Sequence, residues 1–190
     1  MSSMNLLHRW MCHSEHWKNQ LRDEMVPWVL AGLDLGPDVL ELGPGPGFTT
    51  DLLRQRCRHL TAIEIDANYA GPLQQRLQGA NVTVVHADAT AIPFPHQSFS
   101  GAVAFTMLHH VPSKQLQDQL FGEVHRVLRP GAVFAGTDSI PRIFLHLAHI
   151  GDTYVPVDCR TLRSRLETAG FTDVQIENGE KRFRFRARRD

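Results

Sequence analysis

A doubly wound α/β sheet is the fold class this chain predicts, and three observations predict it. There are five short apolar runs, segments of helix length between them, and a glycine-rich turn directly after the first run. Runs this short and continuous belong to parallel strands covered on both faces, because a half-exposed strand would alternate apolar with polar residues.

Length and composition agree with one packed unit. The 190 residues suit a single domain, 1–190, with 1–35 as a helical N-terminal lid within it. Apolar residues make up 42% of the chain, and 20 basic side chains balance 20 acidic ones. That composition excludes a disordered tail, and it argues against a polyanion-binding specialist. Cys12, Cys57 and Cys159 form an odd, scattered set without a C-x-x-C pair, which fits a reducing compartment. Met1 to Trp10 lacks the apolar core of a signal peptide, and no window approaches the roughly 18 apolar residues of a membrane span. A soluble, cytoplasmic protein is therefore expected.

Between Leu6 and Leu33, Leu7, Trp10, Trp17, Leu21, Met25 and Trp28 recur at three- and four-residue steps, a helical stripe with a kink or restart at Pro27. Val39 to Leu42 is the first strand, and a helix follows from Thr49 to Cys57. The rhythm then repeats: strand Leu60–Ile65, helix Tyr69–Leu77, strand Asn81–His86 and strand Gly101–Phe105. Ser113 caps an amphipathic helix carrying Leu116, Leu120, Val124 and Leu128, stopped by Pro130-Gly131. Ala132 to Ala135 is the fifth strand. Ser139 to Pro156 has no clean period and, near the carboxyl ends of the strands, is a candidate wall over a ligand site. A helix from Asp158 to Gly170, a strand Val174–Glu177, a hairpin turn at Asn178-Gly179 and a strand Arg182–Arg188 complete the chain.

The turn Glu41-Leu42-Gly43-Pro44-Gly45-Pro46-Gly47 allows close backbone approach by a ligand. It departs from the dinucleotide pattern G-x-G-x-x-G, because Phe48 stands where the third glycine is required. Two acids at strand ends follow it. Glu64, in Ile63-Glu64-Ile65-Asp66, is placed to accept both hydroxyls of a ribose, and Asp88, in His86-Ala87-Asp88-Ala89, to accept from an amino group on a purine. Either acid alone reads as a solvated strand end or a helix cap. Together, after a glycine turn, they describe an adenosine site.

The runs ELGPGPG, IEID, HADATAIPFP and HRVLRPGAVF, in this order, resemble the class I S-adenosylmethionine-dependent methyltransferases, in particular the small-molecule branch related to the ubiquinone and menaquinone biosynthesis enzymes. The resemblance covers roughly residues 38 to 136, with the terminal hairpin also matching. It implies a seven-stranded sheet of order 3-2-1-4-5-7-6 with strand 7 antiparallel, and S-adenosyl-L-methionine as cofactor. On this chain it implies that Glu41 and the turn Gly43, Pro44, Gly45 and Gly47 hold the methionine end. Glu64 with Ile65 takes the ribose, Asp88 with Ala89 the adenine, and the backbone near Phe105 completes the pocket.

Methyl transfer from a sulfonium needs alignment above all, because the leaving group is neutral. A base is required only where the acceptor is protonated. His109 and His110 follow the fourth strand at the rim, and His109 is the first candidate; the plainer reading is a rim histidine that packs or bonds to backbone. His13 and His16 share a helix face without a third ligand, so no metal is expected. Motifs of nucleic-acid and protein methylation are absent after the fourth strand, so the expected partner is a small-molecule acceptor methylated at oxygen or carbon, with nucleic acid disfavoured. Two alternatives stand beside this: a non-catalytic sensor or subunit that binds the cofactor or its demethylated product, and a nicotinamide-dependent dehydrogenase. Finally, Arg182, Arg184, Arg186 and Arg188 alternate with Phe183, Phe185 and Ala187. The plain reading is an edge strand protected by charge, the sharper one an anionic partner.

Overall fold

The computed structural model describes residues 14–141 and 153–190. Seven strands, β1 (Asp38–Leu42), β2 (His59–Glu64), β3 (Val82–His86), β4 (Phe99–Phe105), β5 (Leu128–Ser139), β6 (Phe171–Asn178) and β7 (Arg182–Arg189), form one sheet in the order β3-β2-β1-β4-β5-β7-β6. Strands β1 to β5 pair in parallel, and β7 lies antiparallel between β5 and β6. The chain moves outward from β1 through β3 and returns to β4 on β1's other side. This reversal opens a crevice at the carboxyl ends of β1 and β4, the place where such sheets receive ligands.

Strand period divides the core. Leu40, Leu42, Phe134, Phe183 and Phe185 face one side, packed with Leu120, Phe121 and Val124 of helix α5 (Lys114–Val127) and with Leu162 and Leu166 of α6 (Cys159–Thr168). Val39, Val103 and Val133 face the other, against Val26, Val29 and Leu30 of α2 (Val26–Leu30) and Leu53 of α3 (Phe48–Leu53). Helix α4 (Ala67–Arg76) covers β2 and β3 through Ala70 and Leu73. Phe183 and Phe185 are fully buried, each removing from water an area worth roughly 2–3 kcal/mol.

The N-terminal helix is interrupted. Helix α1 (Glu15–Gln20) is capped by Ser14, whose Oγ accepts from Trp17 N at 3.2 Å, and it passes through a π turn (Leu21–Met25) into α2. Val26 N–H bonds Leu21 O, five residues back. Pro27, which has no N–H to continue the α pattern, follows at once. Leu7 and Trp10 of the predicted stripe lie outside the described residues. Helix α5 ends at Val127, and Leu128 already pairs with Phe99 as the start of β5. Pro130 disfavours helix at Arg129, whose guanidinium reaches Asp38 and Ser98 O instead.

Strand β7 corrects two expectations. It is an interior strand, and its arginines are not a solvated edge. Its turn is also not at Asn178-Gly179: Asn178 stays in β6, opposite Phe183, and residues 179–181 make the connection. The arginine face lies beneath the N-terminal helices. Arg184 donates to Trp28 O and Arg186 Nη2 to Ala31 O at 2.7 Å, so two guanidinium groups satisfy carbonyls at the end of α2 that the helix cannot. No helix among the described residues is long and apolar enough to cross a membrane.

Candidate active site at the strand tips

The glycine turn joins β1 to α3 with three glycines at positive φ, Gly43 at 60°, Gly45 at 52° and Gly47 at 85°. Their surroundings differ. A Cβ on Gly43 would stand 2.9 Å from Met107 Cβ, and one on Gly47 only 2.3 Å from Leu73 Cδ1, whereas one on Gly45 meets nothing within 4 Å. Gly43 and Gly47 therefore seat the turn against the protein. Gly45, beside the buried Pro44, is the member open to a ligand.

Glu41 lies on the same face of β1 as Val39 and is 1% exposed. Thr49 Oγ1 donates to one of its oxygens and Thr50 Oγ1 to the other at 2.6 Å. Burial pushes its carboxyl up to about 7, and the two hydroxyls offset part of that rise. Glu41, which the resemblance places at the methionine end of the cofactor, is thus also an internal brace, tying β1 to the first turn of α3 and so fixing the loop between them.

Glu64 ends β2 and is buried. Gly45 N donates to its Oε2 and Asp66 N to its Oε1, each at 2.9 Å. Burial raises its pKa, opposed by these backbone donors. Glu64 thus holds the open glycine from across the crevice, in addition to standing where the ribose is expected. Ile65 follows it, 38% exposed. Asp88 is exposed; its Oδ1 accepts from Thr90 N and Thr90 Oγ1, both at 2.8 Å, while Ala89 next to it is buried. Glu41 and Gly43, Glu64 and Asp88 thus mark three neighbouring strand tips. These features fit an adenosine: an open glycine, a carboxylate at the second tip, an apolar side chain beside it and a second carboxylate at the third.

Beyond β4 the chain turns sharply. Phe105 is buried, and Thr106 has φ 51°, an uncommon conformation for a β-branched residue. Its N–H bonds Thr137 O at 2.8 Å, and the turn brings Met107 over Gly43. The short 3₁₀ turn Leu108–His110 follows. His109 is 5% exposed, and its Nδ1 lies 2.6 Å from Oδ1 of Asp138, which is fully buried at the end of β5. A carboxylate oxygen only accepts, so Nδ1 is the protonated nitrogen in this contact. His109 N also donates to Asp138 Oδ2 at 3.2 Å, and Ser139 N to Oδ1 at 2.6 Å.

His110 is half-buried with its ring centroid 4.2 Å from that of His109, and Tyr154 stands edge-on to His109 at 5.5 Å. His109 O accepts from Val155 N at 2.7 Å. The segment predicted to wall the site therefore touches it at residues 154–155. The sequence reading missed Asp138 and Thr106. An acid at the carboxyl end of a buried strand was the available signal for the first, and nothing local marked the second. Among the described residues no three His, Cys, Asp or Glu side chains gather to hold a metal, and His13 lies outside them.

Residues 40–136 match the family model described as a methyltransferase domain. A probable S-adenosylmethionine-dependent methyltransferase of Mycolicibacterium smegmatis is 33% identical over 60% of this chain and 42% of its own length. A probable ribosomal RNA small subunit methyltransferase A of Methanothermobacter thermautotrophicus is 33% identical over 82% of this chain and 61% of its own length. The chain thus spans about two-fifths to three-fifths of these relatives. A Haemonchus contortus phosphoethanolamine N-methyltransferase, solved with phosphomonomethylethanolamine and S-adenosylhomocysteine, shares the fold with a TM-score of 0.77 at 14% identity, covering 96% of this chain and 56% of that one.

Proposed function

The chain belongs to the methyltransferase-domain family, and from that premise we propose that it transfers a methyl group from S-adenosylmethionine to a small organic acceptor, at oxygen or carbon. The observation that carries the reading is the row of features on three adjacent strand tips, with Gly45 open, Glu64 and Asp88 as acceptors and Ile65 exposed between the acids. Relatives named for S-adenosylmethionine, and a fold neighbour holding its demethylated form, support the cofactor. Neither the sensor nor the dehydrogenase reading has comparable support. In this reading residues 1–35 serve as a lid on a single domain of 1–190, within the small-molecule branch and in the cytoplasm.

Glu64 and Ile65 would hold the ribose, Asp88 and Ala89 the adenine, and Gly43, Pro44, Gly45, Gly47 and the backbone near Phe105 the methionine end. Bound there, S-adenosylmethionine supplies an activated methyl and a neutral thioether as leaving group. The chain's own residues supply alignment, desolvation and, where the acceptor carries a proton, a base. His109 is the base in this reading: Asp138 fixes its tautomer so that Nε2 accepts the proton, with His110 and Tyr154 confining the ring. Asp138 acts through His109 and is a positioning residue.

An RNA acceptor, suggested by the ribosomal RNA methyltransferase relative, is the second reading. Against it, Arg184 and Arg186 are committed to α2 carbonyls and so are not a free phosphate track. Calorimetry with S-adenosylmethionine, S-adenosylhomocysteine and NADH tests the cofactor. Binding of the first two is expected, and Glu64→Ala should weaken it by roughly 1–3 kcal/mol through loss of a charged acceptor. NADH binding alone overturns the reading. Labelled cofactor given to a metabolite extract and to total RNA then separates the acceptor classes.

A further inference from the structure

Four of the five arginines of β7 have matched partners. Arg184 is paired with Glu177 and Trp28 O, Arg186 with Ala31 O, Arg188 with Gly131 O, and Arg189 with Leu128 O. Arg182 does not follow them. It is half-buried under α1, its guanidinium carbon 5.1 Å from the centre of the Trp17 ring, and among the described residues its one hydrogen bond runs from Nη2 to Gln20 Oε1 at 3.4 Å. No carboxylate among the described residues lies within ion-pair distance of it. Asp138 and Glu24 act on it only through longer-range attraction, and burial works against its charge.

Asp138 is not its hydrogen-bond partner, because the Asp138 oxygens are taken by His109 Nδ1, His109 N and Ser139 N. A guanidinium offers five donors in a fixed fork. Arg182 leaves most of them unpaired among the described residues, and none of its nitrogens is both buried and unpartnered, so they stay open to a ligand. Its position adds meaning. Arg182 pairs in register with Ser139, next to Asp138, at the carboxyl tip of β5. At about 4.8 Å per strand, β7 stands roughly 10 Å from β4, where the proposed base begins the acceptor side.

We propose that Arg182 anchors an anionic group, a carboxylate or a phosphate, on the methyl acceptor. This rests on the methyltransferase reading given above and names the acceptor's chemical class. The acceptor is then an oxyanion-bearing molecule. Arg182 clasps the charge between Trp17 and the sheet, and α1 contributes to specificity through Gln20. A bidentate fork suits either anion, and Lys would not replace it.

The test follows the Arg182 Nε–H resonance in ¹⁵N-arginine-labelled protein, with and without saturating S-adenosylhomocysteine, during titration with benzoate, phenyl phosphate and neutral benzamide. A saturable shift of Arg182 with at least one anion and none with benzamide is expected. Arg182→Gln should weaken that anion's binding tenfold or more, and Arg184→Gln should not. Response to benzoate alone marks a carboxylic acid, and response to phenyl phosphate alone a phosphate ester. No saturable shift with either anion, or an equal shift with benzamide, overturns the proposal. Failure to bind S-adenosylhomocysteine would strike the cofactor reading instead, since the anion titration is also read without it.

Discussion

The two halves of the crevice are built in different ways. Over β1, β2 and β3 the features come from single strand-to-helix junctions, where Glu41, Gly45, Glu64 and Asp88 each lie within a few residues of the strand that presents them. Over β4, β5 and β7 the features meet only in three dimensions. His109, Asp138, Tyr154 and Arg182 come from four separate segments, and Trp17 and Gln20 from a fifth. A cofactor shared by a whole family suits the first construction, since a local turn carries it from one chain to another. An acceptor particular to one enzyme suits the second, where a change at one position alters a contact without disturbing a strand.

The largest expected effect breaks the second half. Asp138→Ala leaves two buried donors, His109 Nδ1 and His109 N, and the half-buried Ser139 N without their acceptor. A loss of roughly 3–5 kcal/mol in unfolding free energy is expected by urea titration. Asp138→Asn should cost less stability and still lower turnover, because a neutral amide no longer enforces the Nδ1–H tautomer. The ¹⁵N shifts of His109 read that tautomer directly. Unchanged shifts with unchanged turnover would reduce Asp138 to a packing role. Cofactor affinity in both variants should stay near that of the unaltered chain, which separates the two halves.

Glu41 tests the first half through pH. Its folded pKa of about 7 lies above the ordinary 4.5, so the native state holds its proton more tightly than the unfolded chain. The contribution is fully present below about pH 4.5 and is lost as pH rises through about 7, reaching about 3 kcal/mol at most. Unfolding free energy followed from pH 4.5 to 8 should therefore contain a fall that Glu41→Gln removes. A slope identical in the two proteins would mean that Glu41 ionises freely despite its burial.

Legibility in the sequence follows the same division. Parallel strands were readable because both faces of each are buried, giving continuous apolar runs. The candidates for the proposed cofactor side could be named because turn, glycine and acid are neighbours in the chain. Asp138 was not, since on β5 it looks like any strand-end acid until Leu108–His110 folds back over it. The arginine run was misassigned for a related reason. Alternation correctly put Phe183 and Phe185 inside, but it carries no information about what covers the opposite face. Trp28 and Ala31, more than 150 residues earlier in the chain, cover it. Glu41 shows the limit within the local half: the motif marks the residue, and only the structure reveals that Thr49 and Thr50 donate to its carboxyl.

The smallest effect sharpens the comparison within the glycine turn itself. Gly47→Ala places a methyl group 2.3 Å from Leu73 Cδ1 and 2.6 Å from Arg76 Nη2 at φ 85°, so the Leu73 and Arg76 side chains must shift in addition to the left-handed backbone penalty, at about 2 kcal/mol of stability. Gly45→Ala meets no atom within 4 Å and carries only the left-handed backbone penalty, about 1 kcal/mol. Affinity for S-adenosylmethionine should run the other way, because the space beside Gly45 is the space a ligand would use. Thermal unfolding and calorimetry on the pair read both quantities. If Gly45→Ala kept full affinity while Gly47→Ala lost it, the ligand would approach the turn from α4 and not from the open side held by Glu64.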